Sequence, residues 1–345
     1  MGRQALTFGV QIALARVLFP EDFGVAAMVL VISSFGTVIV EGGLGSALIH
    51  HRDLRRDHLA TVTAFCAALG LLLAVLIALA GPALVRFYDE PELRTLAVLV
   101  AVSFGISSLG VVPEAILARE LRFKRLGAIE LLAVAVAGAV ALTLAHRGHG
   151  ARSLGWQAVA LSGTEVSLLW LAARPPLTPV RRVALSDLSG FGLNLLGVNT
   201  LNYWVRNADN VVVGRAFGGP ALGVYSRAYA VMLVPVEQLA GAISRVMFPS
   251  LAHMGDDVGR VRLAYLRAVR VTALLLVPLA AGLAVCAEEV VLTVLGPRWV
   301  GMVPILQVLA ALGAVQAVTT TVGWLYTSQG RTDRMLQYSL MASPL

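Results

Sequence analysis

The sequence is poor in charged residues and in cysteine, and it contains a single lysine, Lys124. Only 14% of its 345 residues are charged and 58% are hydrophobic, whereas a soluble domain carries about 25% charged residues. Its two cysteines lie within apolar runs, so neither a disulfide framework nor a metal site is predicted. The net charge of +7 comes from basic residues in short loops, which is not a nucleic-acid signal.

Motifs for catalysis are also lacking. The sequence shows no glycine-rich nucleotide loop, no metal-ligand spacing and no nucleophile–base pair. Thr164 and Glu165, like His146 and His149, are too isolated in the sequence to form a catalytic site. The loops are too short to hold a catalytic domain. We therefore expect a protein that is not an enzyme and needs no cofactor.

Long apolar runs dominate what is present. Because a bilayer is crossed by about 20 apolar residues, the mean hydropathy of +0.80 and the repeated apolar runs predict an all-α, polytopic membrane protein. An eleventh span begins near residue 330. The ten spans before it are predicted at 2–18, 24–48, 59–81, 95–118, 126–145, 153–173, 189–213, 221–247, 269–289 and 300–326. Residues 248–268 are predicted to form an interfacial amphipathic helix.

The basic residues are distributed unevenly between alternate loops. One set of loops holds 17 of the 27 basic residues and the other set holds eight. Because cytoplasmic loops carry an excess of Arg and Lys, we expect the amino terminus to lie in the cytoplasm.

The seventh span contains polar residues within an apolar run. Asn199, Asn202, Arg206 and Asp209 are spaced i, i+3, i+7 and i+10, so they form one stripe on a helix. A charge at the bilayer centre costs about 2.5–3.5 kcal/mol, so such a stripe is expected to face a wet cavity or other helices. A structural alternative is that Arg206 and Asp209 pair with each other near the outer membrane edge.

The chain contains an internal repeat. At an offset of 199 residues, ARVLFPEDFGV (15–25) aligns with GRAFGGPALGV (214–224), and at an offset of 209, RFKRL (122–126) aligns with RTDRM (331–335). Parallel repeats of this kind are typical of transporters. We predict an N-terminal lobe at 1–173, a cytoplasmic linker at 174–188 with three prolines, and a C-terminal lobe at 189–345.

The repeat also predicts that both lobes are incomplete. The first span is shorter than its repeat partner, and the second lobe lacks most of its last two spans. The expected architecture is a two-lobe helical bundle of parallel six-helix repeats, truncated at about 10–11 transmembrane helices. We interpret the chain as a fragment of a longer protein; the alternative is a natural ten-helix protein.

Several motifs resemble those of the Wzx-type lipopolysaccharide and exopolysaccharide flippases. They cover most of the chain and include ARVLFPEDFG (15–24), EGGLGSALI (41–49), LARELRFKRL (117–126), MFPSLAHMGDD (247–257), GPRWVGMVPILQVLA (296–310) and the long block 203–239. The resemblance implies transport of an undecaprenyl-diphosphate-linked oligosaccharide from the cytoplasmic to the periplasmic leaflet of the bacterial inner membrane. It also implies glycosyltransferases and a polysaccharide polymerase as partners.

For such a cargo, arginine suits the diphosphate because its planar fork bonds two oxygens at once. The predicted substrate-binding residues are Arg16, Arg206, Arg215, Arg227, Asp209, Asn199, Asn202 and Gln238. Candidates for ion coupling are Glu41, Glu237 and Asp209.

Structural explanations compete with several of these roles. Arg16 and Arg215 also fit arginines that snorkel at helix ends, and Arg227 fits an interfacial anchor beside Tyr225 and Tyr229. Glu41 also fits a solvated or capping residue. Arg3 joins the candidates if the chain extends upstream, because it would then lie within the membrane.

Two alternative functions are compatible with parts of the pattern. One is a transporter of the same fold with another cargo, such as the peptidoglycan lipid precursor or a cationic drug. An acidic cavity would favour the drug, whereas the spans hold more Arg than carboxylate. The other is a membrane polysaccharide polymerase or ligase, which would be expected to carry a large outer loop with catalytic groups.

Overall fold

A computed structural model describes residues 2–41, 56–175, 183–254 and 257–328, and within them the chain is helical throughout. The expected all-α class is therefore confirmed for this part of the chain. Eleven α-helices are labelled in order: α1 Gly2–Val17, α2 Pro20–Glu41, α3 Arg56–Tyr88, α4 Leu93–Ser107, α5 Val111–Arg119, α6 Phe123–His146, α7 Arg152–Ala173, α8 Val183–His253, α9 Val258–Val285, α10 Ala287–Val290 and α11 Val303–Ser328. A π-helical turn at Val291–Leu295 and a 3₁₀ helix at Pro297–Met302 join α10 to α11.

Six stretches of the described chain are long and apolar enough to cross a membrane. They correspond to the predicted second, third, fourth, fifth, ninth and tenth spans. Their bounds are Pro20–Val40, His58–Tyr88, Leu93–Arg119, Phe123–His146, Gly259–Val285 and Pro297–Gly323. The predicted first, sixth, seventh and eighth spans lie in helices α1, α7 and α8. The predicted start of an eleventh span near residue 330 lies outside the described residues.

Glycine and proline set the helix breaks. The predicted fourth span is divided into α4 and α5, and Pro113 lies in the first turn of α5, where its missing N–H costs nothing. Within α8 the backbone leaves the helical region at Gly218, with φ 79° and ψ −175°. This conformation favours glycine, which has no Cβ, so Gly218 separates the seventh span from the eighth.

Two predicted boundaries differ from the structure. Helix α3 continues through Pro82 to Tyr88, seven residues beyond the end of the predicted third span. The predicted interfacial helix at 248–268 is not a separate element, because α8 runs to His253 and α9 begins at Val258. Asp257 caps α9 by accepting a hydrogen bond of 3.1 Å from the backbone N–H of Arg260.

Contacts group the chain into two compact units, Met1–Gly223 and Val224–Leu345. In the first unit, buried residues of α2, α3, α4 and α5 form one core cluster, and α2, α3, α4 and Leu222 of α8 form another. In the second unit α9 packs on α11. This grouping places the seventh span in the first unit. The predicted lobe boundary at 174–188 stays a prediction.

Candidate functional site

The predicted polar stripe lies on the first part of α8, and the structure describes one of its four side chains. Asp209 is half-buried, and its Oδ1 accepts a hydrogen bond of 2.8 Å from the backbone N–H of Asn210. The side chains of Asn199, Asn202 and Arg206 lie outside the described residues. The pairing of Arg206 with Asp209 therefore stays a prediction.

Aromatic residues next to the stripe dock α8 onto α2 within the first unit. The hydroxyl of Tyr203 donates a hydrogen bond to the backbone carbonyl of Val31. The ring of Phe35 lies 5.6 Å from that of Tyr203 and 5.2 Å from that of Trp204. Successive helical residues are about 100° apart around the helix axis. By this spacing, the centre of the stripe lies about a quarter of a turn around α8 from Tyr203.

Two predicted arginines of the first unit are exposed near helix ends. Arg16 lies in the last turn of α1, where the helix dipole favours a cation. The guanidinium carbon of Arg215 lies 5.5 Å from the ring centroid of Phe87, within cation–π range. Both positions fit a packing or snorkelling role, so diphosphate binding by these residues stays a proposal.

Arg227 lies in the packing of the second unit. Its side chain is half-buried and its Nε atom is buried. On either side of it in the sequence, Tyr225 and Tyr229 stack with ring centroids 6.4 Å apart. The Nε2 of Gln316 donates a 3.3 Å hydrogen bond to the hydroxyl of Tyr229. The hydroxyl of Tyr229 on α8 is thus hydrogen-bonded to α11 close to Arg227.

The other candidates of the eighth span lie on an outer face of the helix. Glu237 and Gln238 are both exposed. Glu41 is the last residue of α2, and its side chain lies outside the described residues. The coupling role of Glu41 and Glu237 and the cargo-binding role of Gln238 therefore stay proposals.

The first unit contains a polar cavity of about 400 Å³ that the sequence did not predict. It lies among α1, α2, α4, α5 and α7. Its polar lining consists of five hydroxyl side chains, two carboxylates and one guanidinium: Ser33, Thr37, Ser103, Ser107, Ser162, Glu114, Glu165 and Arg3.

The hydroxyls of this cavity present acceptors. Each donates its proton to a carbonyl of its own helix: Ser103 to Val100 at 2.9 Å and Ser107 to Phe104 at 2.9 Å, with Ser33, Thr37 and Ser162 bonded likewise. A hydroxyl has one proton and two lone pairs. What these side chains offer the cavity is therefore oxygen lone pairs, which attract a proton, a cation or a hydrogen-bond donor.

Charged groups are brought to the cavity by close helix packing. A Cβ on Gly138 of α6 would stand 2.6 Å from a methyl group of Val10 in α1, so glycine permits the two helices to approach. Further along the same pair of helices, Arg3 forms a 2.9 Å ion pair with Glu130. Half-buried Glu165 on α7 interacts electrostatically with both.

The equivalent place in the second unit is apolar. At the repeat offset of 199, Ser33 and Thr37 correspond to Met232 and Val236, which are both buried. They line a space of about 10 Å³, which is at the limit for one water molecule. In the described part of the second unit, the two hydroxyl positions of α2 therefore have apolar counterparts.

Part of this site had a signal in the sequence. Ser33 and Thr37, like Ser103 and Ser107, are pairs spaced i, i+4 inside apolar spans, and Ser162 precedes Glu165 by three residues. Each pair marks one polar helix face. Their convergence depends on how three helices pack, which the spacing within one helix does not reveal.

Comparisons with known proteins agree with the resemblance seen in the sequence. The family described as "Polysaccharide biosynthesis protein" matches residues 13–304. The chain is 28% identical over 302 residues to the teichuronic acid biosynthesis protein TuaB of Bacillus subtilis, covering 87% of this chain and 62% of TuaB. It is 25% identical over 330 residues to the lipopolysaccharide biosynthesis protein WzxC of Escherichia coli, covering 95% of this chain and 67% of WzxC. It thus spans less than two thirds of TuaB and about two thirds of WzxC.

Solved structures share the fold. The lipid II flippase MurJ in an inward closed conformation matches with a TM-score of 0.76 and 12% identity, over 96% of this chain and 75% of MurJ. An inward-facing multidrug resistance MATE family transporter of the MOP superfamily matches with a TM-score of 0.75 and 16% identity, over 98% of this chain and 84% of the transporter. At these identities the likeness concerns the fold alone, and it confirms the predicted all-α membrane bundle.

Proposed function

The chain belongs to the polysaccharide biosynthesis protein family, and from this premise we propose that it moves a lipid-linked oligosaccharide across a bacterial membrane. The specific cargo we propose is an undecaprenyl-diphosphate-linked repeat unit, carried from the cytoplasmic to the periplasmic leaflet of the inner membrane for a surface polysaccharide. The observation that carries this proposal is the family match over residues 13–304. The chain is a multi-pass bacterial membrane protein, and we place it among carriers rather than enzymes.

The cargo has three chemically different parts. Its diphosphate is anionic, its sugar chain is polar, and its polyprenyl tail is apolar and can remain in lipid. A carrier therefore needs a polar chamber for the first two parts only. We propose that arginines bind the diphosphate, since a guanidinium fork contacts two phosphate oxygens. The arginines concerned are Arg206, Arg215, Arg227 and Arg16.

Sugar hydroxyls donate and accept hydrogen bonds, which suits amide side chains. We assign this role to Asn199, Asn202 and Gln238, with Asp209 as an acceptor. The docking of α8 on α2 through Tyr203 and Phe35 supports the assignment, because it holds the helix that bears the stripe in one orientation.

Uphill transport needs a coupling ion, and the first-unit cavity is a place for one. Its hydroxyl lone pairs and the carboxylate of Glu165 attract a proton or a cation, while the Arg3–Glu130 pair is internally neutral. We therefore add Glu165 to Glu41, Glu237 and Asp209 as a coupling candidate. Glu114, on the same cavity, is exposed.

The remaining parts of the proposal concern topology and partners. The excess of arginine in alternate loops supports a cytoplasmic amino terminus. Glycosyltransferases that build the repeat unit and a polymerase that uses it are the proposed partners.

Deleting the gene that encodes this chain tests the function. We expect loss of one surface polysaccharide and accumulation of its lipid-linked repeat unit in the cytoplasmic leaflet, both reversed by the gene on a plasmid. An unchanged amount of surface polysaccharide contradicts the proposal. Long polysaccharide that is missing while single repeat units still reach the periplasmic leaflet indicates a polymerase or ligase instead. Changed drug resistance with normal polysaccharide indicates a cationic cargo.

A further inference from the structure

The first turns of α9 carry an unusual concentration of positive charge. Four exposed arginines, Arg260, Arg262, Arg267 and Arg270, lie within its first thirteen residues. The amino-terminal end of a helix carries a partial positive charge that disfavours cations. Asp257, which caps the helix, lies 3.9 Å from Arg260. In the part of the chain that the structure describes, no carboxylate forms an ion pair with the other three.

Three of these arginines share one face of the helix. At about 100° per residue, Arg260, Arg267 and Arg270 fall within an arc of about 80°. The side of α9 that packs into the second unit is roughly opposite. Its buried residues are Val261, Ala268, Thr272 and Leu276. The arginine face, which we define as Arg260, Arg267 and Arg270, is therefore turned away from the packing of α9.

The exposed face of α9 changes character after Arg270. From Val271 to Ala287 the sequence has no charged residue, and Leu274 is 73% exposed. These 17 residues measure about 25 Å as a helix, close to the hydrocarbon thickness of about 30 Å. When they occupy the hydrocarbon layer, the arginine face is placed at the level of the lipid phosphates.

We infer that the arginine face of α9 binds the phosphate groups of anionic phospholipids at the membrane surface. Three cations on one face attract anionic headgroups, and bound phosphates offset the mutual repulsion of the arginines. At Arg260, in the first turn, they also offset the conflict with the helix dipole. The inference depends on α9 alone and does not require the proposed transport function.

The test measures binding of fluorescent phosphatidylglycerol and phosphatidylcholine to the purified full chain in neutral detergent. The test variant is R260Q/R267Q/R270Q. A matched control, R119Q/R122Q/R125Q, removes the same number of charges at the junction of α5 and α6, where Arg122 is paired with Glu120 at 2.9 Å. A second control, R260K/R267K/R270K, keeps the charge.

Each arginine near an anionic surface strengthens binding about fivefold, so the test variant should bind phosphatidylglycerol on the order of 100-fold more weakly than the parent at low salt. Phosphatidylcholine binding should be unchanged, and the lysine variant should stay within about threefold of the parent for phosphatidylglycerol. The inference is overturned if the test variant loses no more phosphatidylglycerol than the matched control. It is equally overturned if both lipids are lost together, or if the lysine variant behaves like the glutamine variant.

Discussion

Gly24 and Gly223 lie backbone against backbone, and the contact is the same from either side. A Cβ on Gly24 would stand 2.6 Å from the carbonyl carbon of Gly219 and 2.8 Å from the nitrogen of Gly223. A Cβ on Gly223 would stand 2.6 Å from the carbonyl carbon of Pro20 and 3.0 Å from the nitrogen of Gly24. Gly223 and Gly219 follow Gly24 and Pro20 by the repeat offset of 199 residues. Positions that correspond at this offset therefore meet each other at the crossing of α2 and α8.

Replacing Gly24 by alanine should destabilise the protein by about 1–3 kcal/mol, the usual range for overpacking. The added methyl group meets backbone atoms, which cannot turn aside as a side chain can. Thermal unfolding in detergent measures the effect. Gly127→Ala in α6 is the control, because a Cβ there has nothing within 4 Å. Equal stability of the two variants would show that the crossing is looser than the structure indicates.

The two glycines should also be energetically coupled. Gly24→Ala and Gly223→Ala each add a methyl group at the same crossing, and a crossing that one methyl group has already opened accepts the second more easily. The loss of unfolding free energy in the double variant should therefore be smaller than the sum for the two single variants, by about 0.5–3 kcal/mol. A double-mutant cycle on unfolding measures this coupling. Strict additivity would mean that the two positions do not share one contact.

Arg206→Ala should abolish export of the polysaccharide while the amount of protein in the membrane stays unchanged. The reason is that the proposed diphosphate site loses its guanidinium. Surface polysaccharide and membrane protein are measured in cells that carry the variant gene. Arg147→Ala, which removes an exposed arginine just after α6, should leave export intact. Normal polysaccharide in the Arg206 variant would refute the cargo-site assignment.

Glu165→Gln should remove the dependence of transport on the coupling ion, since the amide keeps the size of the side chain but neither its charge nor its proton. Uptake of lipid-linked oligosaccharide into proteoliposomes, with and without a proton or sodium gradient, measures this. Glu288→Gln, at an exposed carboxylate of α10, is the control. Gradient-dependent transport that survives in the Glu165 variant would exclude the cavity as the coupling site.

Glu90, between α3 and α4, makes stability dependent on pH. Partial burial raises the pKa of its carboxyl, a backbone hydrogen bond from Glu92 opposes this, and the charges of Glu21, Glu92 and Asp89 raise it further. An acid whose pKa is raised on folding stabilises the protein fully below the unfolded pKa, and this contribution is lost as pH rises through the folded pKa.

Glu90→Gln should therefore match the parent in melting temperature below about pH 4 and exceed it progressively at higher pH. A series of melting curves between acid and neutral pH measures the difference. Glu288→Gln again serves as the control, because it makes the same change at an exposed carboxylate. A Glu90 variant that is less stable than the parent at neutral pH would contradict the assigned cause.

The sequence predicts the helices of this protein better than their meeting points. The hydropathy of a span depends only on its own residues, and six helices of the described chain that are apolar enough to cross a membrane coincide with predicted spans. The predicted ninth span begins at residue 269, because the arginines before it indicate a separate interfacial helix, whereas the structure joins most of that segment to the span as one helix, Val258–Val285. Gly218 lies among other glycines and a proline, and the sequence does not tell which of them takes the left-handed conformation.

The polar cavity escaped prediction for a different reason. Its hydroxyls come from three helices, and Gly138 allows close packing of α1 and α6, the helices that carry the charged neighbours of Glu165. Such contacts join residues more than a hundred positions apart. The repeat, by contrast, was visible in the sequence, and its offset led directly to the glycine pair.

The contrast between Ser33 and Thr37 in α2 and Met232 and Val236 in α8 has a consequence for tolerance to substitution. Hydroxyls that line a hydrated pocket supply oxygen lone pairs that aliphatic side chains lack, whereas Met232 and Val236 contribute packing. Deep mutational scanning should consequently find Met232 and Val236 tolerant of other aliphatic residues, and Ser33 and Thr37 intolerant of them.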